Sequence, residues 1–214
     1  MRIQTSSAAS TAGSRNAGLF RLRITTAGAG VLALVAVLMF TAACGGNGVH
    51  SYAAEDIEPR KVRRVAVFPF FNQTSFSEAG RIVTNAYIAQ MVAKTDYQVE
   101  FPGNIRNFLI SERIIIRNKI DLTTIELMRR RLGVDAVVLG EVIEYSGPKK
   151  ARASDVPLVH VGVRMVEAET GRILFMANHR KTGDDYRVVL DIGKIRSTSA
   201  LAEKVVGEIV DKMP

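Results

Sequence analysis

The spacing of apolar and polar positions divides the chain into three stretches of different character. Residues 24–49 form an uncharged run, densest at Val31-Leu32-Ala33-Leu34-Val35-Ala36-Val37-Leu38-Met39-Phe40. Residues 45–59 then carry too few large apolar side chains to pack, which predicts a short tether. From residue 61 onward the pattern becomes periodic and is broken by turn residues. Residues 62–68 are a β-branched run halted by Pro69, a first strand. A loop over 70–75 follows, and residues 77–94 place Ile82, Ala86, Ala89 and Val92 on one helical face. Residues 97–101 read as a second strand closed by Pro102-Gly103, and 104–116 as a short helix running into an apolar turn.

Further along, Thr123 and Glu126 have the spacing of a capping box, with Ile125, Met128 and Leu132 as the buried stripe and Gly133 as the stop. Residues 134–144 begin almost wholly apolar, the pattern of a central strand covered on both faces. Val159, Val161, Val163 and Met165 alternate with His160, Gly162 and Arg164, as in a half-buried strand. The turn Glu169-Thr170-Gly171 returns residues 173–177 as its hairpin partner. After a loop over 183–194, Leu201, Val205, Ile209 and Met213 recur every four residues in a final helix. The expected fold is α/β, a two-layer or three-layer sandwich in which helices flank a mixed β-sheet, in the order β-α-β-α-α-β-β-β-α.

Charge sharpens the division. The chain of 214 residues has a formal net charge of +8, but Arg2, Arg15, Arg21 and Arg23 precede residue 44 with no acid among them, leaving 25 basic against 21 acidic residues beyond. That mild excess, interleaved with acids, does not point to nucleic acid. The arginines followed by the apolar run have the order of an export signal. Its end, Leu38-Met39-Phe40-Thr41-Ala42-Ala43-Cys44-Gly45, resembles a lipobox, since a lipidating enzyme needs a thiol at the membrane surface and the peptidase needs small side chains beside the scissile bond. Thr41 departs from the usual aliphatic residue. Residues 1–43 are therefore read as a lipoprotein signal peptide, Cys44 as the lipidation site, 44–60 as a lipidated tether and 61–214 as the periplasmic domain. Simple secretion or a retained membrane helix are the competing readings. Cys44 is the only cysteine, so an internal disulfide is excluded.

Three segments are similar to landmarks of the CsgG-like and LpoB-like envelope lipoproteins, a group that resembles the TolB N-terminal fold. They are Val65-Ala66-Val67-Phe68-Pro69-Phe70 with Asn72-Gln73-Thr74, then residues 131–140, then Glu169-Thr170-Gly171-Arg172-Ile173-Leu174. The similarity covers residues 61–214 and implies a non-enzymatic binding role. A tether of about 60 Å at full extension looks short for an LpoB-like activator of a peptidoglycan synthase. No spare segment offers the membrane-spanning hairpins of a CsgG-like pore. A membrane-proximal accessory of a secretion, transport or outer-membrane assembly machine remains.

No G-x-S-x-G elbow, P-loop, H-E-x-x-H or paired-cysteine motif occurs, so catalytic residues, cofactor, metal and small-molecule substrate are each read as none. An unrecognised hydrolase is the rival class. His50, His160 and His179 are scattered; the last two are expected to be exposed or hydrogen-bonded. Arg129-Arg130-Arg131 suits a helix C-terminus, and Lys149-Lys150-Ala151-Arg152 a charged loop. Candidate partner contacts are Phe70, Phe71 and Asn72 in one loop and Asp184, Asp185 and Tyr186 in the other. Phe70 and Phe71 read equally as core lid or exposed contact, Asn72 as turn chemistry, and Asp184-Asp185 as a solvated pair or a weak cation site. The expected partners are the membrane, through lipid on Cys44, and an envelope protein or further copies of the chain. The expected location is the cell envelope, at the outer membrane.

Overall fold

The β-branched runs pair as their composition asks. In the computed structural model, which describes residues 48–55, 62–115, 120–147, 156–188 and 191–214, the strands are β1 (His50–Ala53), β2 (Arg64–Val67), β3 (Phe71–Asn72), β4 (Gln98–Val99), β5 (Ala136–Ser146), β6 (Leu158–Glu167) and β7 (Ile173–Thr182). They form one open mixed sheet in the order β1-β7-β6-β5-β2-β4, with β3 also paired to β5. Four helices flank it: α1 (Ala79–Lys94), α2 (Pro102–Ser111), α3 (Leu122–Leu132) and α4 (Thr198–Val210).

β2, β3 and β5 run parallel, and β5, β6, β7 and β1 alternate in direction. Pro69 has no N–H to give, so the ladder along β5 breaks between β2 and β3, and resumes with Gln73 N donating to Val142 O at 2.9 Å. The path from β2 to β4 through α1 moves outward across the sheet, and the path from β4 to β5 through α2 and α3 moves back over β2. Right-handed crossovers in opposite directions put their helices on opposite faces.

One face is filled by α1 and α4, with Val83, Tyr87, Met91, Leu201, Val205 and Ile209 meeting Val138, Val161, Met165 and Phe175. The other face is covered by α2 and α3, where Ile105, Phe108, Ile125 and Met128 meet Ala66, Phe68, Val137 and Leu139. That second layer stops beside β5, and no described helix continues it over β6, β7 and β1. The domain therefore has three layers over β4, β2 and early β5, and two over the rest.

Most of the expected elements are present, among them the central strand, the alternation on β6, the hairpin turn and the stripe on α4. Gly133 ends α3 at φ +66, a conformation that glycine adopts without a Cβ penalty. Four expectations are corrected. The tether is not free throughout, because His50–Ala53 pairs antiparallel with β7 in register His50 to Asn178. All four residues are exposed, so no apolar period announced a strand held by backbone bonds alone. On α1 the buried stripe is Val83, Tyr87 and Met91, while Val92 is 64% exposed. Two stripes share the same 3.6-residue period, and the one with Tyr and Met buries more apolar area. The cap of α3 is Asp121, whose carboxylate accepts from Thr124 N at 3.1 Å and is held below the usual carboxylate range first by the Thr124 hydroxyl and then by that backbone N–H. The second strand shrinks to Gln98–Val99, leaving Phe101 exposed.

Two polar side chains are buried among the described residues, Thr84 and His179, and both are satisfied. Thr84 Oγ1 donates to Gly80 O at 2.6 Å and accepts from Phe70 N at 2.9 Å. His179 Nε2 lies 2.6 Å from a Glu208 carboxylate oxygen on α4. An ionised carboxylate only accepts, which assigns the proton to Nε2.

Val138 is fully buried in the middle of β5. Val138→Asp places an unpaired carboxylate there, and thermal melting should show the domain lost rather than shifted, at a cost of several kcal/mol. His179→Ala removes a charge-assisted hydrogen bond and leaves a void, so urea titration should register a loss of about 2–4 kcal/mol. Glu208→Gln keeps an acceptor, and its loss should be about 1 kcal/mol.

Candidate functional site

The two candidate loops lie at the same end of the sheet. β3 and β7 both run in the direction of β5, so the loop after β3 and the loop after β7 emerge where β5 ends. β1 runs the other way, so its first residue points to that same end. Cys44 lies outside the described residues, as do Lys149, Lys150 and Arg152.

Within the first loop the residues divide. Phe70 is 4% exposed, its ring 5.3 Å from that of Tyr87. A Cβ at Gly140 would fall 2.5 Å from the Phe70 ring, so the glycine makes room for it. Phe70 is thus a core residue and the contact reading fails for it. Phe71 and Asn72 are half-buried on β3 beside Glu141 and Val142. Asn72 Oδ1 accepts from Thr74 N at 2.9 Å and Thr74 Oγ1 at 2.8 Å, and its Nδ2 donates to Phe76 O at 2.8 Å. This is the expected turn chemistry, and it presents Phe76, stacked on Tyr145 at 5.4 Å between ring centroids.

The second loop opens with a 3-10 turn, Gly183–Tyr186. Asp185 caps it, accepting from Thr182 N at 2.6 Å and Thr182 Oγ1 at 2.9 Å. Asp184 is ion-paired to Lys194 at 2.9 Å, a contact that holds its carboxyl below the usual range. Tyr186 lies against α4, with the Lys181 and Lys204 ammonium groups 5.7 and 5.9 Å from its ring centre. Burial and then the Glu208 carboxylate push its phenol well above the ordinary value. Asp184 and Asp185 therefore hold the loop's own shape. The arginine cluster on α3 is likewise engaged, Arg131 with Glu112 at 3.1 Å and Arg129 with Glu169 at 3.6 Å.

The uncovered half of the sheet is a surface that no sequence motif marks. Cross-strand register places Glu141 and Glu144 of β5, His160, Gly162 and Arg164 of β6, Met176, Asn178 and Arg180 of β7, and His50 and Tyr52 of β1 on one face. Their polar groups are joined: Arg180 Nε donates to Glu144 at 2.6 Å, His160 Nε2 contacts Asn178 Oδ1 at 2.6 Å, and Gln73 Nε2 donates to Glu141 at 2.7 Å. Where this face meets the α2–α3 layer there is a cavity of about 140 Å³, lined among others by Phe68, Leu139, Glu141, Gly162, Arg164, Met176 and Asn178. Gly162 keeps it open, since a Cβ there would stand 3.2 Å from Glu141. The lining offers an apolar wall with a carboxylate, a guanidinium and an amide, but no hydroxyl, thiol or amine nucleophile. The signal was present in the sequence as the polar half of two alternations, 160–164 and 176–180, which add up to an open face only once β6 and β7 are paired.

No family model and no curated protein matches the chain. Among solved structures the fold is similar to the PelC dodecamer from Paraburkholderia phytofirmans, at 16% identity over 76% of this chain and 93% of that chain, with a TM-score of 0.53. Lipoprotein GNA1162 from Neisseria meningitidis aligns at 18% identity over 70% of this chain and 96% of that one, with a TM-score of 0.49. The LpoB C-terminal domain from Salmonella enterica aligns at 11% identity over 60% and 87%, with a TM-score of 0.45. What the PelC likeness shows is a shared fold.

Proposed function

We propose that the chain is a non-enzymatic, lipid-anchored envelope adaptor, held close to the outer membrane, where it assembles with copies of itself or with a component of a secretion, transport or outer-membrane assembly machine. The observation that carries this reading is the short distance between the lipobox and the folded domain. Val49 packs half-buried against the core just ahead of β1. Only the segment from Cys44 to Val49 is then left as leash, at most about 18 Å when extended. That shortening weighs against an LpoB-like activator, which has to reach an enzyme in the opposite membrane. Assembly with further copies draws support from PelC, whose structure is that of a dodecamer.

The open sheet face fits a binding role, because it combines exposed Tyr52 and Met176 with charges already paired to one another. Prepaired charges lose less on desolvation than free ones when a partner covers them. Stable attachment through Cys44 needs more than one acyl chain, since a single chain binds only marginally.

Metabolic labelling with a fatty-acid analogue should mark the wild type and spare Cys44→Ser, which should leave the membrane fraction. Cross-linking in cells should then capture copies of the chain or a membrane-proximal transport component. Label retained on Cys44→Ser would defeat the anchor, capture of an inner-membrane peptidoglycan synthase would favour the LpoB-like alternative, and turnover abolished by a point mutation would favour a hydrolase.

A further inference from the structure

The cavity on the open sheet face is made by one missing side chain. Strand register sets Glu141, Gly162, Asn178 and His50 in one row across β5, β6, β7 and β1, and Leu139, Arg164, Met176 and Tyr52 in the next. Gly162 is buried in the middle of the first row. A Cβ there would stand 3.2 Å from Glu141 Oε1 and 3.7 Å from Asn178 Nδ2, so both polar groups lie over the glycine. The space left is about 140 Å³, walled by Phe68, Ile120, Leu139 and Met176. Free small-molecule ligands generally occupy pockets of about 300–1,000 Å³. An apolar cavity of about 150 Å³ admits a benzene ring, which is the scale of one side chain.

The two carboxylates on this face differ in their partners. Glu144 is paired with Arg180 Nε at 2.6 Å and lies 3.5 Å from His160 Nδ1. Glu141 Oε2 accepts from the neutral amide of Gln73 at 2.7 Å, and Glu141 makes no ion pair among the described residues. Its other oxygen, Oε1, is the one that stands over Gly162. Arg164, the cation in the lining, is engaged in a contact of its own. A half-buried carboxylate without a counter-charge, beside an apolar space, favours a cation whose body is hydrocarbon.

We propose that this cavity receives a lysine or arginine side chain of a protein partner, its aliphatic stem against Phe68, Leu139 and Met176 and its charged head on Glu141 Oε1. The proposal rests on the adaptor reading for the kind of partner. The surroundings also suit a protein rather than a free amine, because the stem would emerge beside Met176 and Tyr52, 42% and 58% exposed, which only a broader surface covers. An anchor side chain in a fitted hole, ringed by groups that exclude water, is the usual source of specificity in such contacts.

The test uses the full-length acylated protein in detergent, with isotope-labelled methionine methyl groups observed by NMR. The probes are Nα-acetyl-lysine amide, its uncharged isostere Nα-acetyl-norleucine amide, and Nα-acetyl-glutamate amide. Met176 reports from the cavity wall, and Met91, on the other face of the sheet, serves as comparison. The lysine probe should shift the Met176 signal saturably and leave Met91 unmoved. The norleucine probe should bind about tenfold more weakly, as expected when a charge-assisted hydrogen bond is missing. Glu141→Gln should bring lysine to the norleucine level with the melting temperature unchanged, and Gly162→Ala should weaken both probes. Equal binding of lysine and norleucine, a preference for glutamate, or no shift with any probe overturns the assignment. In cells, a photo-reactive phenylalanine in place of Tyr52 should cross-link to a peptide containing lysine or arginine, from a partner or a second copy, and Glu141→Gln should reduce that product. No product, or one that Glu141→Gln leaves unchanged, overturns the protein source. Loss of the lysine response on protein that is still acylated and still cross-links to envelope proteins through other surfaces overturns the cavity assignment and leaves the adaptor standing.

Discussion

Everything else in the domain is arranged around the two different environments of β5. From Ala136 to Leu139 the strand is buried on both faces, with β2 on one side and β6 on the other. From Glu141 onward one face still meets the core and the other is open. A sheet covered on one side is common in antiparallel structure, whereas parallel strands are nearly always covered on both. The transition falls where β5 leaves β2 and is flanked on that side only by the two residues of β3, so that its pairing from there on is chiefly the antiparallel ladder with β6. This is why α2 and α3 can stop short, and why a cavity opens at their border.

The junction is held by a small set of contacts that also position the loops. Pro69 breaks the ladder, Phe70 drops into the core against Tyr87, and Gly140 supplies the space on β5. Thr84 takes the Phe70 N–H that the broken ladder leaves unpaired. With that turn fixed, β3 pairs with the end of β5, and Asn72 can organise the loop that carries Phe76. A polar residue in a helix interior is usually a liability. Here its hydroxyl satisfies one backbone group on each of two elements.

How far the sequence could be read followed from where the information lies. Strands such as residues 159–165 announce themselves, because burial on one face imposes a period of two. The stripe on α4 is likewise unambiguous. The buried stripe of α1 is not fixed by the period alone, since Ile82, Ala86, Ala89 and Val92 fit it as well as Val83, Tyr87 and Met91 do, and only the sheet beneath decides between them. β1 carries no apolar period, because His50, Ser51, Tyr52 and Ala53 are all exposed and pair with β7 through the backbone. Of the candidate site, Asp184, Asp185 and Phe70 were conspicuous in sequence yet proved to serve the fold. The open face was hidden in the polar alternates, since its residues have meaning as a group only across β5, β6 and β7.

The placement of β1 links these points to location. An edge strand of four exposed residues adds little apolar burial of its own, so it is held on β7 by backbone hydrogen bonds and, at its two ends, by the packing of Val49 and Ala54. Its presence nevertheless converts a leash of about 60 Å into one of about 18 Å. On the anchoring reading, attachment and pairing reinforce each other: a tethered chain end explores little volume, which lowers the entropic cost of docking it on the sheet edge. Once docked, it blunts the exposed edge of β7, which would otherwise offer a long strand to other chains, and leaves only a short one in its place. On that reading the same four residues set the distance from the membrane; they also cover the edge of β7, and within the strand itself neither role requires a buried apolar side chain.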